Sequence, residues 1–224
     1  TASVAQSNWR NTHTYRFSNN AELANSGYNV PHTVKASAFY HFNWGTNKLF
    51  TTTVGLIYQG QSGSPYSLVY SGDVNGDNGP GNDLIFIPTD AQVDQMQFLG
   101  TDAYTAEQQR ANLKQWLATT RYVKDHRGEY FERYGDNLPF ESHFDFHFGQ
   151  KFGIRTGKYV HALELTLDIL NVANLLNKDW GRTFSSGYNS EIISPITYKG
   201  DGVFQFANPS DMPLKYPSSY YSRW

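Results

Sequence analysis

The chain has 224 residues, a formal charge of -2 and no cysteine. With no basic excess, nucleic-acid binding and adhesion to anionic lipid have nothing electrostatic to rest on. Without thiols there is neither a disulfide framework nor a thiolate metal site.

Residues 1–29 are rich in Asn, Ser and Thr, show no sustained period and are expected to be loop. From Val30 the pattern changes. Val34, Ala36, Ala38, Tyr40 and Phe42 alternate with Lys35, Ser37, Phe39 and His41, which predicts a first strand. Gly45, Thr46 and Asn47 make a short turn, and Phe50, Thr52, Val54, Leu56 and Tyr58 continue as a second strand.

Between Gly60 and Pro139 lies an excursion longer than compact domains usually place between paired strands. Within it GSPYSLVYSGD and DLIFIP read as short strands around a Gly/Asn/Asp loop, and TAEQQRANLKQWLATT as a helix. Thr105 and Gln108 form a capping box for that helix, and Leu113, Trp116 and Leu117 its narrow apolar stripe. The charged run HRGEYFERYG is expected to be a solvated face.

Residues 141–176 carry the clearest pattern. Phe144, Phe146, Phe148 and Phe152 separate from His143, Asp145, His147 and Lys151, and after a turn Leu163, Leu165, Leu167 and Ile169 separate from Glu164, Thr166 and Asp168. This is a strand pair, apolar on one face and ionisable on the other. About ten residues at roughly 3.4 Å each, tilted by about 40°, span the height of the apolar band on an outer-membrane barrel. A soluble sheet lying with one face on a core has the same period of two. The aromatic content of 16%, with rings near strand ends, favours the membrane. A mean hydropathy of -0.58 does not oppose it, because barrel strands are only half apolar. No apolar run is long enough for a membrane helix. Residues 174–217 form a second long excursion in which SEIISPITY and GVFQF read as strands, and Ser218 to Trp224 is expected to begin another.

Asp73, Asn75 and Asp77, with Asp83 further on, place oxygen ligands at alternate positions with glycine between them, as a hard cation such as calcium requires. The second half departs from the EF-hand pattern, since Asn78 stands at the sixth position and Leu84 at the twelfth. An Asx-rich turn that satisfies its own backbone is the competing reading. His143 and His147 are roughly 13 Å apart along a strand, too far to share one ion. GDNGPGND lacks the Lys and helix of a phosphate loop, no serine sits in a G-x-S-x-G elbow, and no catalytic residue is expected.

VPHTVKASAFYHF, YQGQSGSPYSLVYSGDVNGDNGPGNDLIFIP, HRGEYFERYGDNLPFESHFDFHFGQKF and LDILNVANLLNKDWG together cover most of the chain. They resemble the C-terminal part of TonB-dependent outer-membrane receptors of the Oar-like and SusC-like group. The resemblance implies an all-β fold, an antiparallel transmembrane β-barrel segment with long extracellular loops containing a short helix. Residues 1–224 are then the C-terminal part of the barrel, with the plug domain and earlier strands absent. It also implies location in the bacterial cell outer membrane, contact with its lipid, and coupling to the TonB complex through the plug. The substrate class it implies is a glycan, a peptide or a metal chelate. In this family the last strand ends in an aromatic signal, and Trp224 is expected to fall several residues short of it. Two other classes remain: a soluble, calcium-dependent β-sheet binding module, and a passive porin, which the long elaborate loops disfavour.

Overall fold

The computed structural model describes residues 9–20, 22–184 and 192–206. In chain order the strands are β1 (Thr33–Trp44), β2 (Phe50–Gln61), β3 (Pro65–Ser71), β4 (Gln97–Phe98), β5 (Asp136–Asn137), β6 (Glu141–Thr156), β7 (Tyr159–Ile169), β8 (Ile192–Tyr198) and β9 (Val203–Phe206). Helices occupy Asp90–Gln95, Ala106–Thr119, Arg121–Asp125 and Ala173–Leu176. Strand makes up 41% and helix 19%, so the chain is β-rich in two sheets, with more helix than the single one expected. The strand expected from Ser218 lies outside the described residues. The described residues form two compact units, one of residues 30–63 and 139–184, the other of residues 9–20, 22–29, 64–138 and 192–206.

The first unit is a four-stranded antiparallel sheet in the order β1-β2-β6-β7. Its register carries the alternation seen in single strands across the whole sheet. Trp44 pairs with Phe50, Phe50 with Phe152 and Phe152 with Leu163, and the row Tyr40, Val54, Phe148, Leu167 runs parallel to it. On the other face His147 lies opposite Asp168, and Lys151 opposite Glu164. Because a one-residue slip would reverse every side chain, this register holds the phenylalanines and leucines on a single face. Phe39, Ile57, Val160 and Ala162 break the polar face. The Phe39 ring lies over Gly55: a Cβ there would come within 2.4 Å of it, so glycine is what leaves the ring room. The β6–β7 turn has only Gly157 and Lys158 between the paired Thr156 and Tyr159, and Gly157 takes φ 62, the left-handed opening of a tight hairpin.

The second unit holds a mixed sheet in the order β4-β9-β8-β3-β5. β3 runs parallel to β8 and β4 parallel to β9, an arrangement that short-range patterning does not encode. DLIFIP, expected as a strand, forms only isolated bridges: Ile85 donates to the Leu68 carbonyl, while Phe131 donates back to Ile85 and Ile87 to Glu129. The HRGEYFERYG run is solvated at Gly128, Glu129, Tyr130 and Glu132, as expected, with Phe131 the buried exception. Phe131 is fully buried, its ring against those of Tyr66 and Tyr122, and Leu68, Ile85, Ile87, Leu117 and Val123 are fully buried in the same unit. The capping box is present as expected, Thr105 and Gln108 exchanging backbone and side-chain hydrogen bonds, and Leu113, Trp116 and Leu117 are buried. A second box, Thr89 with Gln92, starts Asp90–Gln95.

Gln109 is one of the polar residues buried with this core. It is 1% exposed, its Nε2 donates to the carbonyls of Leu99 (2.7 Å) and Tyr104 (3.3 Å), and its Oε1 accepts from the Phe206 amide (2.9 Å). One side chain thus serves the helix, the loop before it and the end of β9. Replacing it by leucine keeps the volume but strands buried backbone groups, each costing about 1–3 kcal/mol. Gln109→Leu should lower the opening free energy at the Phe206 amide by at least that much, as read by hydrogen exchange. Unchanged protection at Phe206 would show that another group takes over the bond.

Candidate functional site

The polar constellation expected from the sequence sits where β3 ends at Ser71. From there the chain turns through Asp73 to Asp83 and returns beside β3, the Tyr70 amide donating to the Asp83 carbonyl. Asp73 organises the turn: its Oδ1 accepts from the amides of Gly76 (2.7 Å) and Asp77 (3.2 Å), and its Oδ2 from that of Asn78 (2.9 Å). Three amides can converge on one carboxylate because Gly76 (φ 77) and Asn78 (φ 63) are both left-handed. Asparagine is the residue other than glycine that visits that region most readily, so Asn78 supplies the bend that a glycine makes at the sixth position of a calcium loop.

Asp77 Oδ1 accepts from the Gly79 amide (2.7 Å), and its Oδ2 from Ser18 Oγ (2.9 Å) and Asn82 Nδ2 (3.3 Å). Asp83 is 2% exposed; its Oδ2 accepts from the amides of Val74 and Asn75, and its Oδ1 is buried with no hydrogen-bond partner. One carboxylate oxygen from each of Asp73, Asp77 and Asp83 falls within 4.8 Å of the others. Three of the four expected ligands are thus brought together. The fourth, Asn75, is engaged elsewhere, its Oδ1 accepting from the Asp77 amide and its Nδ2 donating to the Arg16 carbonyl. Leu84, at the twelfth position, is buried in the core, its amide bonded to the Thr14 carbonyl.

Two participants were not expected. Asn82 is 3% exposed and its Oδ1 has no hydrogen-bond partner. Its neighbour in the motif, Asp83, was the only signal for it. Ser18 reaches Asp77 from far away in sequence, and nothing in the local pattern marks it. Among the described residues no Lys, Arg or His forms an ion pair with the three carboxylates.

Burial, with smaller repulsion from Asp77 and Asp73, pushes the Asp83 carboxyl above its ordinary range despite the two amides it accepts. Burial acts the same way on Asp77, but hydrogen bonds from Ser18, Gly79 and Asn82 outweigh it and hold that carboxyl below the ordinary range. The signs therefore differ. The contribution of Asp77 is present above the unfolded carboxylate range and is lost as pH falls through its lowered value; that of Asp83 is greatest at low pH and is lost as pH rises through its raised value.

On the ionisable face of the four-stranded sheet, His143 and His147 are too far apart along β6 to share an ion. Cross-strand pairing narrows the gaps: His147 Nδ1 lies 2.6 Å from Asp168 Oδ1, and Asp145 Oδ1 accepts from the Asn171 amide at 2.7 Å.

In chelator-containing buffer at pH 7, Asp83→Asn keeps an acceptor for Val74 and Asn75 and removes the buried charge. Its Val74 and Asn75 amides should be better protected from exchange than in the wild type, and the difference should vanish as pH falls below the raised value of Asp83. Poorer protection at pH 7 would mean that the charge-assisted bonds outweigh desolvation. No family model, no curated protein and no solved structure matches the chain.

Proposed function

We propose that this chain is part of the barrel of a TonB-dependent outer-membrane import receptor, with the four-stranded sheet as a piece of its wall. The observation that carries the reading is the apolar face of that sheet. Leu163, Leu165 and Leu167 are each more than half exposed, and Tyr40, Phe42, Val54 and Leu56 share the face with them. Four strands at about 4.8 Å, by roughly 25 Å of height, make a patch on the order of 400–500 Å² in projection, the size of the largest, often functional, patch on a soluble monomer.

Lipid imposes a second condition, that polar atoms on such a face find partners within the protein. Trp44 Nε1 donates to Thr52 Oγ1 (2.9 Å), Thr52 donates to Gln150 Oε1 (2.6 Å), and Gln150 Nε2 donates to the carbonyls of Thr51 and Lys151. Tyr58 and Ser142 are joined at 3.2 Å. Rings also gather at both ends of the face, Trp44 stacked on Phe50 at one and Tyr58 tilted against Phe144 at the other. Eight residues of β2 separate those rows, about 27 Å along the strand and roughly 20 Å in height at a 40° tilt, as between aromatic girdles.

The loop lengths support the same reading. The turns at residues 45–49 and 157–158 are short and lie at one end of the sheet, while residues 62–140 leave and re-enter at the other, where Gln61 pairs with Glu141. Outer-membrane barrels keep short turns on the periplasmic side and long loops outside. Coupling to TonB through a plug, import of a glycan, peptide or metal chelate, and residence in the bacterial outer membrane follow from this reading. A soluble calcium-dependent module would need a core over the leucine face, and those leucines are bare.

In the intact protein, cysteines at 146 and 165 should react with a lipid-phase reagent and cysteines at 145 and 164 with an aqueous one. Leu165→Arg should destabilise the membrane-inserted protein by about 2–4 kcal/mol. Recovery of the protein from the aqueous fraction, or inverted labelling, would refute the membrane assignment.

A further inference from the structure

We infer that Asp73, Asp77 and Asp83 bind one calcium ion, with the side-chain oxygen of Asn82 as a further ligand. Three carboxylates with oxygens within 4.8 Å of one another and no ion-paired cation among the described residues are a site only if something else points to a ligand. Two buried oxygens do. Asp83 Oδ1 and Asn82 Oδ1 belong to residues 2% and 3% exposed, and neither has a hydrogen-bond donor. They belong to neighbouring residues, of which Asn82 meets Asp77 through its Nδ2, and are acceptors withdrawn from water without compensation, which a cation supplies.

The chemistry selects calcium among divalent ions. All four groups are hard oxygen donors, and the absence of cysteine removes the soft alternative. Oxygens within 4.8 Å of one another can all reach one Ca²⁺ at about 2.4 Å. Magnesium demands near-ideal octahedral geometry, which a loop tied down by Asp73 and Asp83 through its own amides is poorly able to adjust to. With four protein ligands, water completes the six to eight that calcium takes, and the affinity belongs in the range of extracellular modules, about 10⁻⁴ to 10⁻³ M. The inference does not depend on the barrel reading, since the loop and its partners lie wholly within the second unit.

The test is calorimetric titration of the purified intact protein, stripped with chelator and then dialysed, with CaCl₂ and separately with MgCl₂. Wild type and the exposed-loop control Asp102→Asn should take up one Ca²⁺ with the same affinity. Asp83→Asn and the double variant Asp73→Asn with Asp77→Asn should bind at least tenfold more weakly. Exchange protection at Gly76, Asp77 and Asn78 should rise with Ca²⁺ only in the first two. If Asp83→Asn loses protection in β3, Asp77→Asn alone, with the same tenfold criterion, replaces it. Absence of saturable uptake below 10 mM, equal affinity in wild type and double variant, or Mg²⁺ binding as tightly as Ca²⁺ would each overturn the proposal.

Discussion

Everything in the four-stranded sheet depends on the antiparallel ladder keeping one register from β1 to β7. Side chains alternate with a period of two, so a strand contributes to a common face only if its neighbour is aligned to the same parity. Here Ala38, Leu56, Phe146 and Ile169 fall in one row while Lys151 and Glu164, and His147 and Asp168, fall on the reverse. Uniform parity over four strands is what turns half-apolar sequences into one continuous apolar surface.

Tight turns hold that parity. Gly157 opens a two-residue hairpin, and the backbone bond from Gly153 to the Leu49 carbonyl ties β6 to the end of the first turn. The same sheet tolerates Phe39 on its polar side because Gly55 leaves the ring room, and His147 meets that ring edge-on while bonding Asp168. An aromatic residue on the wrong parity is therefore absorbed locally, with no shift of register.

Local periodicity made the four long strands, the short turns and the Ala106–Thr119 helix legible, because each depends on neighbours within a few residues. The second sheet was not, since β3 pairs in parallel with β8 across more than a hundred residues and DLIFIP divides its hydrogen bonds between Leu68 on one side and Glu129 and Phe131 on the other. At HRGEYFERYG the charge pattern marked the solvated residues, and the inward turn of Phe131 among them was not legible. In the acidic loop Asp73, Asp77 and Asp83 were visible as alternating oxygens. Ser18 was not, and Asn75 spends its side chain on Asp77 and Arg16.

The backbone of Asp83 is as consequential as its carboxylate. Its carbonyl accepts from Tyr70, its neighbour Leu84 donates to the Thr14 carbonyl, and Thr14 donates from its own amide to the Asn82 carbonyl. The residues that converge on the acidic cluster thus form the junction between the end of β3 and the segment His13–Ser18, and Ser18 closes the circuit by bonding Asp77. A charge change at the Asp83 side chain therefore acts on two chain segments at once. The loop is less a surface ornament than the fastening of residues 13–18 to the second sheet, which is why its amides are the place to read any ligand it takes.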